Sequence, residues 1–423
     1  MKKFKLKDIA NIQISGIDKK IKKEEIPVKL CNFVDVYNNW AITKEHENYF
    51  MNASAKETEI EIFSLKKDQV AFTKDSETKD DIGIPTYIAD NLDKTVLGYH
   101  CALITPNKNF LKGKYLNAFM HSKYIQKYFE NNATGSGQRY TLSTDVINSI
   151  PILLPSINEQ KKIGKIFSYI DRKINLNNKI NQELEQTAKD LYDYWFVQFD
   201  FPDENKRPYK SNNGALVYND ILKRKIPYNW TVDKLKNICD IKSGYPFSSD
   251  NYVSNGIYGI ITIKNVQSGY IDIHTDNYIN SLPSDLPQYC VLEKGDILLS
   301  LTGNIGRVGL IYTDNLLLNQ RVAKIVPKSK YLYSYIYFLI NNNHFRSILE
   351  QKSTGTSQKN LSPIETENID IIIPDKNTIE EFDRNVKSII EKIVNNWTEN
   401  AFLIDLRDFL LPMLMNGQIS IRD

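Results

Sequence analysis

The second half of this chain rewrites the first, and that limits its fold more than any compositional feature. Thr134-Gly135-Ser136-Gly137-Gln138 returns as Thr354-Gly355-Thr356-Ser357-Gln358. Leu142 is matched by Leu361, and Ile150-Pro151-Ile152-Leu153-Leu154-Pro155 by Ile369-Asp370-Ile371-Ile372-Ile373-Pro374. Leu6, Ile9 and Ile12 are echoed in the same three-residue steps by Leu235, Ile238 and Ile241, and Asp68 is echoed by Asp296. Solenoid units run to roughly 20–50 residues, so a repeat this long is a duplicated domain. In both halves a helical pattern begins just after the last proline. Two such domain-plus-helix units imply a protein that addresses two separated sites.

The helical segments set the architecture. Ile163, Ile166, Ile170, Ile174, Ile180, Leu184, Leu191 and Trp195 recur in steps of threes and fours, with no proline between Pro155 and Pro202. That spacing predicts a helix of roughly 40 residues, about 60 Å long at 1.5 Å per residue. Its apolar stripe needs a partner. The repeat offers one in Phe382, Val386, Ile389, Ile393, Trp397, Ile404, Leu406 and Leu410, between Pro374 and Pro412. Both stripes turn polar near the middle, at Asn175, Asn177, Asn178 and Asn181 and at Asn395, Asn396 and Asn400. Such asparagines either lie in the seam and set its register or face water.

The expected fold is mixed α/β. Two globular domains, 1–155 and 229–374, are joined by two long helices packed as an antiparallel coiled coil, giving an internal pseudo-two-fold repeat. The helices cover 156–200 and 375–423, the latter with a C-terminal tail. The proline- and charge-rich stretch 201–228 reads as a connector.

Composition excludes several classes of function. Charged residues make up 25% and apolar residues 41%, as in soluble globular proteins. No segment approaches the roughly 18 apolar residues of a membrane span, and the lysine-rich start has no apolar stretch behind it. Cys31, Cys101, Cys239 and Cys290 lie far apart, and His46, His100, His121, His274 and His344 fall in no metal-ligand spacing. The reading is a cytoplasmic chain with reduced thiols, no metal and structural histidines. There is no phosphate-binding Gly-x-x-x-x-Gly-Lys-Ser/Thr loop; Gly303-Asn304-Ile305-Gly306 reads as a turn between strands. Pro202-Asp203-Glu204-Asn205-Lys206 crowds into one loop the acidic residues that a nuclease places on separate strands. No catalytic machinery is visible.

The turns instead collect basic, amide, hydroxyl and aromatic side chains. In the first unit these are Thr73, Lys74, Ser76, Gln138 and Arg139. In the second they are Lys242, Ser243, Tyr245, Lys264, Thr302, Arg307, Gln320, Arg321 and Lys359. Arginine can donate two bonds to guanine and glutamine can pair with adenine, while lysine, serine and threonine reach phosphates. Surface loops of many proteins hold the same residues.

One family shares this pattern. Leu191-Tyr192-Asp193-Tyr194-Trp195-Phe196-Val197-Gln198-Phe199-Asp200-Phe201-Pro202, with Arg207-Pro208-Tyr209 and Ile226-Pro227-Tyr228-Asn229-Trp230, resembles the central region of type I restriction-modification specificity subunits. Ser243-Gly244-Tyr245-Pro246-Phe247, Lys294-Gly295-Asp296-Ile297-Leu298 and the closing Leu406-Arg407-Asp408-Phe409-Leu410-Leu411-Pro412 extend the resemblance over the whole chain. Asn229 stands where the family often has glycine. The second helix begins Asn377-Thr378-Ile379-Glu380-Glu381 rather than in the Asn158-Glu159-Gln160-Lys161-Lys162 form of the first.

The resemblance implies a non-catalytic subunit whose two target-recognition domains each read half of a split site in double-stranded DNA. The partners it implies are two adenine-methyltransferase subunits, which would carry S-adenosylmethionine, with room for two restriction-translocase subunits. This chain itself would hold no cofactor. The helical stripes, from Ile163 to Trp195 and from Phe382 to Leu410, would form the coiled coil and the docking surface. Two other classes compete with this reading: a protein-binding scaffold with duplicated domains, and a self-contained methyltransferase or nuclease with divergent motifs.

Overall fold

A computed structural model of the chain describes residues 2–137, 139–353 and 359–421. The chain divides into two units, Met1–Asn175 with Ala401–Asp423, and Leu176–Asn400. The division falls inside two long helices, Ile157–Tyr192 and Lys376–Met415, so each unit owns a globular part and a segment of both.

The two globular parts repeat one main strand order, to which the first adds strands of its own. In the first, a sheet runs Ala10–Ile14, Cys101–Pro106, Val70–Thr73, Pro85–Ile88, with Ala41–Ile42 at its edge. The second unit orders Cys239–Ser243, Val322–Pro327, Ile297–Ser300, Val308–Leu310 in the same way. A further sheet has a parallel central pair in both units, Ile26–Cys31 with Leu92–Leu97 and Tyr258–Ile261 with Leu316–Leu318. Short antiparallel strands flank each of these pairs. The entry strand also pairs with the exit strand in each unit, Lys2–Lys5 with Pro151–Leu154 and Thr231–Lys234 with Asp370–Ile373.

The ladders refine the sequence alignment. Leu6 N bonds Ile150 O as Leu235 N bonds Ile369 O, so that echo holds. Asp68 does not correspond to Asp296. Its partner is Gly295: Asp68 has φ 74°, Gly295 has φ 90°, and their amides bond Ile88 O and Ile311 O respectively. Asp296 matches Gln69, because each side chain accepts from the amide three residues back.

The apolar stripes of the helices are buried mainly against the globular part of their own unit. In the first unit Ile163, Phe167 and Ile170 join Leu6, Phe72, Tyr115 and Phe119, together with Leu411, Leu414 and Met415. In the second, Tyr192, Trp195, Phe196, Phe382 and Val386 join Leu235, Ile297, Tyr335 and Phe338. Each large side chain so buried contributes about 1.5–3 kcal/mol. The first helix ends in a π-turn over Asp193–Val197, and the second continues through Pro412.

Where the stripes turn polar, the helices meet through asparagines. Asn177 donates to Asn400 Oδ1 (2.9 Å), and Asn400 Nδ2 donates in turn to Asn178 Oδ1 (2.8 Å). Asn396 donates to Asn181 Oδ1 (2.7 Å), and Asn181 to Ile393 O (3.1 Å). Numbers rise on one helix as they fall on the other, so the pair is antiparallel. Asn177, Asn181, Asn396 and Asn400 are buried in the seam, whereas Asn175 and Asn395 face solvent. Residues 201–228, read as a connector, are folded. Phe201 stacks between Tyr209 and Trp230, and Leu216–Asn219 pairs with Arg224–Pro227.

Candidate DNA interface

In each unit the candidate contact residues lie beyond the end of the same strand. In the first unit the chain leaves Val70–Thr73 at Lys74. It then pairs Asp75–Ser76 with Arg139–Thr141, which pairs with Thr134–Ser136. Gly135 has φ 143°, and a Cβ there would lie 2.1 Å from Arg139 O, so only glycine fits this hairpin. Lys74 N bonds His100 O (2.9 Å), and Leu142 N bonds Lys74 O (2.9 Å). A cleft of about 410 Å³ opens between Lys74, Tyr99, Ser136 and Arg139.

Electrostatics inside this cleft are largely settled internally. Buried Asp75 receives Lys74 Nζ at 2.9 Å and is hydrogen-bonded to His100 Nδ1. Burial raises its carboxyl pKa, but hydrogen bonds from Thr141, Lys74 and His100 outweigh that and hold it below the ordinary value. The charge of Lys74 is therefore already matched. Arg139 is exposed, and its Nη2 donates to Tyr99 Oη (3.3 Å).

The second unit stitches three turns together through the backbone. Tyr245 N bonds Leu318 O, Gln320 N bonds Tyr245 O, Leu301 N bonds Arg321 O and Gly303 N bonds Lys359 O. Tyr245, Gln320, Arg321, Thr302 and Lys359 thus share one edge. Lys264 and Arg321 line a neighbouring cleft of about 440 Å³ with Asp272, His274, Asp276 and Asn319. Half-buried Arg307 gives Nη1 to Gln267 Oε1 (2.8 Å). Lys242 places its ammonium 5.3 Å from the centre of the Tyr289 ring, and Ser243 pairs with Ala323 in the ladder.

Two candidates are corrected by burial. Thr73 is fully buried, and its Oγ1 accepts from Ile84 N (3.0 Å), so it belongs to the core strand and not to the contact surface. Thr302 is buried as well, with its backbone bridged to Asn360. Ser76 is half-buried beside Tyr140, and Gln138 lies outside the described residues, as does the repeated Thr354–Gln358.

Burial also corrects the stripes. Ile163, Ile170, Trp195, Phe382 and Val386 are buried in the core of their own unit, and Ile393 is buried as well, so they cannot serve as a free docking face. Ile166, Ile174, Leu184, Leu191, Ile389, Trp397 and Leu410 are partly covered. The large apolar side chains left exposed on the helices include Tyr169, Phe402 and Phe409.

Sequence reasoning missed Tyr99 and His100. Thr73 pairs with Cys101 as Ser300 pairs with Val322, so Tyr99 and His100 occupy the positions of Gln320 and Arg321. The signal was the repeat itself, read through strand register. His121, by contrast, is structural: burial pushes its imidazole pKa down to about 3, and it stacks on Trp40 at 4.0 Å.

The sequence matches the type I restriction modification DNA specificity domain over residues 1–186 and again over 227–400. The chain belongs to the type I restriction-modification specificity family. It is 24% identical to the HindI specificity subunit of Haemophilus influenzae, covering 84% of this chain and 87% of that protein. To the MjaIX specificity subunit of Methanocaldococcus jannaschii it is 26% identical, over 75% and 71% of the two chains. Its fold matches the S subunit of a type I system from M. genitalium with a TM-score of 0.59 at 15% identity, covering 98% of this chain and 95% of that one. As a specificity subunit it is a DNA-recognition component and not an enzyme. Among the described residues, no His/Cys/Asp/Glu cluster could hold a metal, all four cysteines are unpaired and buried, and no helix is long and apolar enough to cross a membrane.

Proposed function

We propose that the chain reads a two-part sequence in double-stranded DNA, one part by each globular domain (1–155 and 229–374). The helical segments 156–200 and 375–423 act as the spacer, with 201–228 completing the second unit. The observation that carries this reading is that one strand order is built twice with different side chains on its loop edge. A shared scaffold with unlike heads suits two different half-sites. Arg139 and Ser76 on one edge, and Lys264, Arg321, Gln320, Tyr245 and Lys359 on the other, are the groove and phosphate contacts we propose. Arg307, Lys242 and Ser243 support the second edge, and Lys74 supports the first.

The chain docks two adenine-methyltransferase subunits, which supply S-adenosylmethionine and the chemistry; two restriction-translocase subunits join through them. Phe402 and Phe409 support a docking role for the outer helix face. They lie seven residues apart, hence on one side of the helix, and both are exposed. The test compares methylated adenines in the DNA of a host carrying this gene and its methyltransferase gene with those in a host lacking this gene. The expected result is methylation at a split motif that disappears with the gene. An unsplit motif, or one indifferent to the gene, would overturn the reading.

A further inference from the structure

We infer that His100 reads one base pair of the first half-site and that Asp75 is the positioning residue that aims its ring. This rests on the DNA-reading role proposed above and deepens it.

Both units build the same backbone corner. Lys74 N bonds His100 O at 2.9 Å, and Leu301 N bonds Arg321 O at 3.1 Å, so His100 stands where the second unit places its exposed arginine. The companions differ: Lys74 and Asp75 accompany His100, and Leu301 and Thr302 accompany Arg321. An arginine carries five donors in a fixed fork and a permanent charge. An imidazole is short and has two unlike nitrogens, so its use depends on what holds the other nitrogen.

Asp75 does that holding. Its carboxylate bonds Nδ1 and is itself held by Lys74 Nζ at 2.9 Å, while its backbone is fixed by ladder pairing with Thr141. His100 also takes φ 70°, a left-handed backbone uncommon for any residue but glycine, which turns its side chain out of the strand line. With Nδ1 engaged, Nε2 on the opposite edge has no partner among the described residues, and a third of the side chain (33%) is exposed. The Tyr99 ring packs at 3.7 Å and receives Arg139, so a cation borders the same spot. A single oriented nitrogen suits a base edge in the major groove. Lys74 is already paired with Asp75, which leaves Arg139 as the phosphate-contacting cation beside the ring.

The test selects preferred sites from randomised duplex DNA, using the full chain with its methyltransferase partner. Variants are His100→Ala, His100→Arg, Asp75→Ala and Asp75→Asn. His100→Ala leaves one base pair of the first half degenerate, with discrimination there falling by roughly fivefold or more and the second half unchanged. His100→Arg redirects that position to guanine. Asp75→Ala loosens the same position, and Asp75→Asn, which keeps an acceptor for Nδ1, restores most of it. An unchanged first half in both His100 variants would overturn the inference. So would an even loss over all positions together with a lowered Tm, which marks a purely structural corner. A wild-type chain that selects no split motif would instead overturn the DNA-reading role itself, and the two failures are distinguishable.

Discussion

Glu185 lies within electrostatic reach of Tyr337, and burial alone pushes its carboxyl up to about 7 from an ordinary 4.5. A carboxyl raised in the folded state binds more protons folded than unfolded between those two values. Its ionisation therefore costs nothing below about pH 4, and the full cost is reached above about pH 7. Glu185→Gln should raise Tm at pH 8 and leave it unchanged at pH 4, read by thermal unfolding at both. Asp75 has the opposite sign: its depressed carboxyl adds stability above its ordinary value of 3.8 that is lost as pH falls through the folded value. Neither role was visible in the sequence. Titration follows from burial and from partners at distant positions, such as His100 for Asp75, and single letters carry no record of either.

At the level of elements the asparagine seam governs how the two helices mate. Removing one partner strands a buried amide at about 1–3 kcal/mol, whereas replacing both with leucine is close to neutral. Asn181→Leu and Asn396→Leu should each lower stability, and the double variant should lose less than their sum, by at least about 0.5 kcal/mol in a double-mutant cycle by denaturant unfolding. Additive losses would show that Asn181 and Asn396 do not act as a pair. The helices were legible because a period of three to four residues needs no knowledge of the rest of the chain. The start and end of the duplicated domain were legible through the repeat of Leu6 in Leu235 and of Ile150 in Ile369, but the strands Lys2–Lys5 and Thr231–Lys234 were not, because four residues carry too short a pattern. The hairpin Thr134–Ser136 with Arg139–Thr141 was read only as a turn, because its third strand, Asp75–Ser76, lies some sixty positions away. Thr73 was misjudged for the same reason: its hydroxyl meets Ile84 across a bend that composition does not reveal.

At the scale of the molecule, two units with one strand order and unlike loop edges should be exchangeable. Replacing residues 229–374 with the equivalent segment of a relative should change one half of the recognised DNA sequence and leave the other intact, measured by mapping methylated adenines. A swap that changed both halves would show that the units do not read independently. The same logic makes the interior of each unit intolerant of substitution, since its sheets also bury the helices, while the loop edge is bound by no such demand.

That separation between sheet and edge has a consequence for how such a protein changes over time. A handful of letters near Tyr99 or Gln320 can drift without loosening the framework, so a lineage could acquire a new genomic address by altering one word of it while the scaffold beneath is inherited untouched.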